Sequence, residues 1–99
     1  MDMKDVFTNE GFFQEALSDC IDAGASLQKK GLDYRLRFPE APDRNPFYVG
    51  FSLLEEEDVR LFSDVDGFSG QLEGDEFMDS LDILSAKMLS VYDGIDRGV

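Results

Sequence analysis

Between residues 34 and 53 the chain changes sides at almost every step. Tyr34, Leu36 and Phe38 alternate with Arg35 and Arg37, and Phe47, Val49, Phe51 and Leu53 alternate with Tyr48, Gly50 and Ser52. A period of two is that of a strand buried on one face. The only prolines, Pro39, Pro42 and Pro46, fall between the two stretches, where they bar a continuous strand and call for a loop longer than a tight hairpin. The expectation is two adjacent antiparallel strands, followed by a third short strand over residues 59–62 after an acidic turn. Residues 53–63 read almost as well as a helix, because Glu, Leu and Arg are good helix formers.

A sheet with one apolar face needs a cover, and the flanking segments have the helical period to supply it. Over residues 8–31, Phe13, Ala16, Leu17, Cys20, Gly24 and Leu27 form one stripe at 100° per residue. Thr8 or Asn9 is placed to cap its start, Gly31 to end it, and Lys29 and Lys30 fall in its last turn. Near the other end, Phe77, Leu81, Leu84, Met88, Val91 and Ile95 are spaced by four and three in turn, a helical stripe sustained over five turns. Glu73, Asp75 and Glu76 load its first turn, and Gly94 is placed to stop it. The fold class expected is α+β: one helix, a two- or three-stranded antiparallel sheet and a C-terminal helix, both helices on one sheet face. With 99 residues, a single domain over residues 1–99 is all the length allows.

The charge narrows function. Asp and Glu number 22 against 9 Lys and Arg, with no His, a net charge of −13. Such a chain is repelled by phosphate backbones and anionic membrane surfaces, so neither direct nucleic-acid binding nor membrane association is expected. Its natural partners are basic proteins. Without His, and with Cys20 at the centre of an apolar stripe, the common general base and nucleophile are missing. A non-enzymatic protein without a cofactor is expected. One Cys forms no internal disulfide, the opening MDMKDVFTNE holds no apolar signal run, and no apolar stretch nears the ~20 residues of a membrane span. These features point to a cytoplasmic protein.

Placement matters more than the total. Residues 55–82 hold eleven acids and one base, and residues 1–28 hold six acids and one base. Glu15, Asp19 and Asp22 stand at i, i+4 and i+7 on the outer face of the first expected helix, and Asp75, Asp79 and Asp82 repeat that spacing on the last. Like charges at i, i+4 destabilise a helix by roughly 0.2–0.5 kcal/mol per pair. Rows without a positive companion, joined by the run Glu55, Glu56, Glu57 and Asp58, are expected to imitate the phosphates of a nucleic-acid strand and to dock on the basic groove of a nuclease or other nucleic-acid-binding protein. In size, acidity and lack of motifs the chain resembles the phage proteins that disarm restriction or CRISPR systems, in whose case the compartment is the host cytoplasm; no residue motif carries that likeness. A plain acidic adaptor, whose carboxylates serve solubility, is the alternative. Arg35 and Arg37, with Lys29 and Lys30 nearby, either pair with the chain's own acids or present a second surface of opposite sign.

One segment suggests a different chemistry. The stretch LFSDVDGFSGQLEGDEF (residues 61–77) resembles the calcium loop of EF-hand proteins, with Asp64, Asp66, Ser69 and Glu76 as candidate ligands and Gly70 at the turn. The correspondence requires Phe68 to be an insertion. With no insertion, position 5 is Phe68, position 6 is Ser69 and position 12 is Asp75. The resemblance implies a small calcium-binding protein, whereas an ordinary Asp-Gly and Ser-Gly turn leading into an acidic helix start needs no ion.

Overall fold

In a computed structural model, residues 2–44, 46–55 and 57–94 are described. Three short helices, α1 (Met3–Phe7), α2 (Glu10–Ala16) and α3 (Ser18–Asp22), precede strands β1 (Ser26–Lys30), β2 (Asp33–Phe38), β3 (Phe47–Leu54), β4 (Asp58–Ser63) and β5 (Gly70–Glu73), and α4 (Gly74–Tyr92) closes the order. The strands form one antiparallel sheet in the order β1-β2-β3-β4-β5.

This corrects the expected fold in three places. The sheet has five strands rather than two or three, the single helix over residues 8–31 is replaced by α2, α3 and β1, and α1 stands ahead of them where no element is expected. Asn9 does cap α2, its Oδ1 accepting from the Phe12 amide at 3.3 Å. The helix then breaks at Leu17, whose φ of −107° and ψ of 19° lie outside the helical well although its side chain is fully buried. Gly24, at φ 115°, ends α3 in a conformation that only glycine adopts without strain. Released there, residues 26–30 pair with β2, and Gly31 at φ 62° turns the β1–β2 hairpin instead of ending a helix. At the other edge, residues 70–73, read as part of a turn, pair with β4. The third short strand exists and extends to Ser63, so a helix over residues 53–63 does not form. The final helix runs close to its expected bounds; Ile95, the last member of its stripe, lies outside the described residues.

The core lies between one sheet face and the helices. Tyr34, Leu36 and Phe38 of β2 are opposite Phe51, Val49 and Phe47 of β3, and all six are buried. Phe7 and Phe13 from the N-terminal helices and Phe77 from α4 close over this surface, with Phe13 4.5 Å from the Tyr34 ring and 5.0 Å from that of Phe51. The Tyr34 hydroxyl donates to the Phe7 carbonyl at 2.6 Å, tying α1 to β2. Fully burying each such ring is worth about 1.5–3 kcal/mol, so the aromatic cluster is the main fastening of helices to sheet. The opposite sheet face has no covering layer among the described residues.

Candidate functional site

The candidate acids divide into groups that the fold treats differently. Glu15 lies on α2, and Asp19 and Asp22 lie on α3 beyond the break at Leu17. All three are exposed, but they are not one straight row on one helix, which corrects the expected spacing. Asp75, Asp79 and Asp82 do share one helix. Each is exposed on α4, with Glu76 beside them. At 100° per residue they lie apart from the buried line of Phe77, Leu81, Ser85 and Met88.

The acidic run before β4 meets the start of α4. A cleft of about 550 Å³ is lined by Asp2, Met3, Glu55, Glu57, Asp58, Glu73, Gly74 and Asp75. Six of these eight residues are carboxylates and none is a cation. Three elements build it. Asp2 caps α1, its Oδ1 accepting from the Lys4 amide at 3.0 Å. Glu55 turns β3 into β4 with φ at 48°, a left-handed conformation costing a residue with a side chain roughly 1–2 kcal/mol. Glu73 ends β5 and stands before α4. The elements approach closely because residue 74 is glycine: a Cβ there would lie 2.5 Å from Met3 Cγ and 2.8 Å from the Glu57 carbonyl oxygen. Glu56, a candidate of the same run, lies outside the described residues.

The cleft is not neutralised from within. Among the described residues the one ion pair joins Arg44 Nη2 to Asp93 Oδ1 at 3.1 Å, away from the cleft. One carboxylate has a neutral side-chain partner, Asp58 Oδ2 accepting from Gln71 Nε2 at 3.0 Å. Asp2 and Glu73 were not among the candidate site residues. The signal for Asp2 was its capping position ahead of a helix, but sequence holds nothing to place α1 beside residues 55–58.

The EF-hand-like segment has another geometry. Asp64 Oδ1 accepts from the Tyr48 amide at 3.0 Å, residues 70–73 are a strand, and Glu76 stands in the first turn of α4. Phe68, which the resemblance treats as an insertion, is 1% exposed and packs in the core beside Phe47. Lys87 holds that loop down, donating to the Gly67 carbonyl at 3.0 Å with its ammonium 5.1 Å from the Phe68 ring centre. Among the described residues no three His, Cys, Asp or Glu side chains are grouped to hold a metal ion, so Asp64, Asp66 and Glu76 do not converge.

Cys20 is a core residue. Its Sγ lies 3.3 Å from Ser85 Oγ and 3.6 Å from the Ser85 carbonyl, joining α3 to α4. Burial pushes its pKa up, the Ser85 hydrogen bond opposes that, and the charge of nearby Asp19 adds to the rise. The thiol therefore stays protonated and weakly nucleophilic. No helix among the described residues is long and apolar enough to cross a membrane. Comparison with protein-family models, curated proteins and solved structures gives no match to this chain.

Proposed function

We propose that this chain is a non-catalytic binding protein of the cytoplasm whose carboxylate surface docks on the basic, nucleic-acid-binding groove of a partner protein and competes there with DNA or RNA. The observation that carries the reading is the acidic cleft. It gathers residues far apart in sequence, Asp2, then Glu55, Glu57 and Asp58, then Glu73 and Asp75, around a concave surface without a cation in its lining. The exposed row of Asp79 and Asp82 continues the negative surface along α4. Like charges held together cost stability in the free protein, and a surface of Lys and Arg removes that cost on binding while releasing counterions. The work is electrostatic and steric, and no bond is made or broken. A partner of this kind is what a phage-encoded inhibitor of a nuclease or CRISPR complex would meet in its host's cytoplasm.

The test is capture of partners from the native host on the immobilised chain at low and high salt, with the eluted proteins identified. A basic nucleic-acid-binding protein that is retained at low salt, released at high salt and displaced by DNA or RNA supports the reading. Replacing Asp75, Asp79 and Asp82 by Lys should abolish that capture while leaving circular dichroism unchanged. Retention insensitive to salt and to the triple replacement refutes it.

A further inference from the structure

The uncovered sheet face has the opposite character to the helix layer. Alternation along each strand puts Lys30 of β1, Arg35 and Arg37 of β2 and Arg60 of β4 on it. Among the described residues none of these four cations lies in an ion pair, in a chain with more than twice as many acids as bases. Of the acids on that face, Asp58 and Glu73 are opposite one another at the cleft end, and Asp33 is opposite Lys30. At the Arg35 and Arg37 end, Asp64 lies beyond Tyr48, its carboxylate accepting from the Tyr48 amide at 3.0 Å, and neither arginine is in an ion pair among the described residues. Here the Arg35 guanidinium sits 4.5 Å from the centre of the Tyr48 ring, and the Phe62 ring lies across Gly50, so close that a Cβ on Gly50 would overlap it. Arg35, Gly50 and Phe62 fall in one cross-strand line.

We propose that this face is the docking surface for the outer ridge of α4 from a second copy of the chain. That ridge carries Asp75, Asp79 and Asp82 together with Ile83, which at 69% is the large apolar side chain left exposed among the described residues. The spacings agree. Asp79 and Ile83 are one turn apart, ~6 Å along the axis, and Arg35 and the ring over Gly50 are one strand apart, ~4.8 Å. Asp79 meets the guanidinium while Ile83 covers the phenyl ring. Arg and aromatic side chains are the usual anchors of protein interfaces. The two surfaces lie on opposite layers of one molecule with at least the thickness of a helix, ~10 Å, between them, beyond the ~8 Å over which charges act at physiological ionic strength. The contact is therefore governed by the facing charges more than by the net charge of −13. Because the surfaces differ, association runs head to tail.

The test is sedimentation velocity of the full chain over a range of concentrations at physiological and at high ionic strength, with two charge-reversed variants. The wild type should associate with rising concentration at ~0.15 M salt and dissociate at ~1 M, where the reach of a charge falls to ~3 Å. The variant Arg35→Glu/Arg37→Glu and the variant Asp79→Lys/Asp82→Lys should each be monomeric, and an equimolar mixture of the two should associate again. Circular dichroism establishes that both are folded. A wild-type chain monomeric up to millimolar concentration overturns the proposal. So does association that survives either double reversal. Binding of single-stranded oligonucleotide that is lost on Arg35→Glu/Arg37→Glu, without self-association, would assign the face to nucleic acid instead. The arginine variant keeps the acidic cleft and α4 row, so capture of the basic partner by that variant separates failure of this proposal from failure of the docking reading.

Discussion

Replacing Asp79 by Lys should make the protein more stable and a poorer binder. Asp79 is exposed on α4, and its side chain makes no hydrogen bond or ion pair among the described residues. Its helical neighbours are Asp75 at i−4, Glu76 at i−3 and Asp82 at i+3. All three repel it. Each like-charge pair costs roughly 0.2–0.5 kcal/mol, and each opposite pair returns a similar amount, most for an acid four residues N-terminal to the Lys, as Asp75 is. Three pairs changing sign amount to roughly 1–3 kcal/mol if additive, and neighbouring pairs are not fully additive. We expect about 1 kcal/mol, a rise in Tm of roughly 4–8 °C for a domain of this size. Thermal melts at low and high salt measure it, with Asp79→Ala removing the repulsion, along with a gain in helix propensity, but adding no attraction. Both variants should exceed the wild type at low salt, and the gain of the Lys variant should shrink at high salt, while capture of the basic partner weakens. A Lys variant no more stable than the wild type, or a gain indifferent to salt, would refute the premise that the row is held against its own repulsion.

Two further outcomes test how the cleft is held. Tyr34→Phe removes the donor to the buried Phe7 carbonyl and should cost about 1–3 kcal/mol by urea denaturation, with α1 loosened first. In the wild type, burial with a smaller contribution from Glu10 pushes the Tyr34 pKa up to about 12 from 10.0. The folded state then holds the proton more tightly, so this contribution is complete below pH 10 and is lost as pH rises towards 12; the stability difference between wild type and Tyr34→Phe should shrink over that interval, and a constant difference would contradict it. Gly74→Ala gains about 1 kcal/mol of helix propensity but drives its methyl into Met3 and the Glu57 carbonyl. A lowered Tm and faster proteolysis near residue 3 are expected, and an unchanged Tm would show that α1 is not seated there.

What was legible in the sequence was what local period encodes. The alternation of β2 and β3 and the stripe of α4 needed no partner to be recognised, and most of the residues the period marks are buried, with Leu53 and Leu84 half-buried and Gly50, Ser85 and Tyr92 buried off the pattern. The first stripe misled because Phe13, Leu17 and Cys20 do face the core at helical spacing and no proline interrupts them. Gly24 falls on the stripe as a small residue, but its positive φ makes it the stop. β1 and β5 were missed for a different reason. Ser26–Lys30 and Gly70–Glu73 are edge strands with little buried side chain, so they carry almost no alternation and are fixed by pairing with β2 and β4 rather than by their own pattern. The candidate site divided along the same line. The α4 row follows from helical geometry alone, whereas the cleft depends on a tertiary contact, Met3 against Gly74, that no spacing contains.

The β1 correction changes what the basic residues mean. On a helix, Lys29 and Lys30 would have served the dipole of its last turn, and the cations of β2 would have stood at the rim of a narrow sheet. As a strand, residues 26–30 widen the sheet beyond β2 and place Lys30 on the same uncovered face as Arg35, Arg37 and Arg60. Meanwhile all the helices pack on the other face and carry their acids outward. Sign is thus partly sorted by layer: antiparallel alternation turns one set of side chains away from the core, and that set holds four of the nine cations of the chain against three acids, Asp33, Asp58 and Glu73, in a chain of 22 acids. A surface that served only solubility would gain nothing from such sorting, since mixed signs keep a small domain in solution as well. Segregation does alter encounters, because it orients an approaching basic partner toward the helix layer and an acidic one toward the sheet.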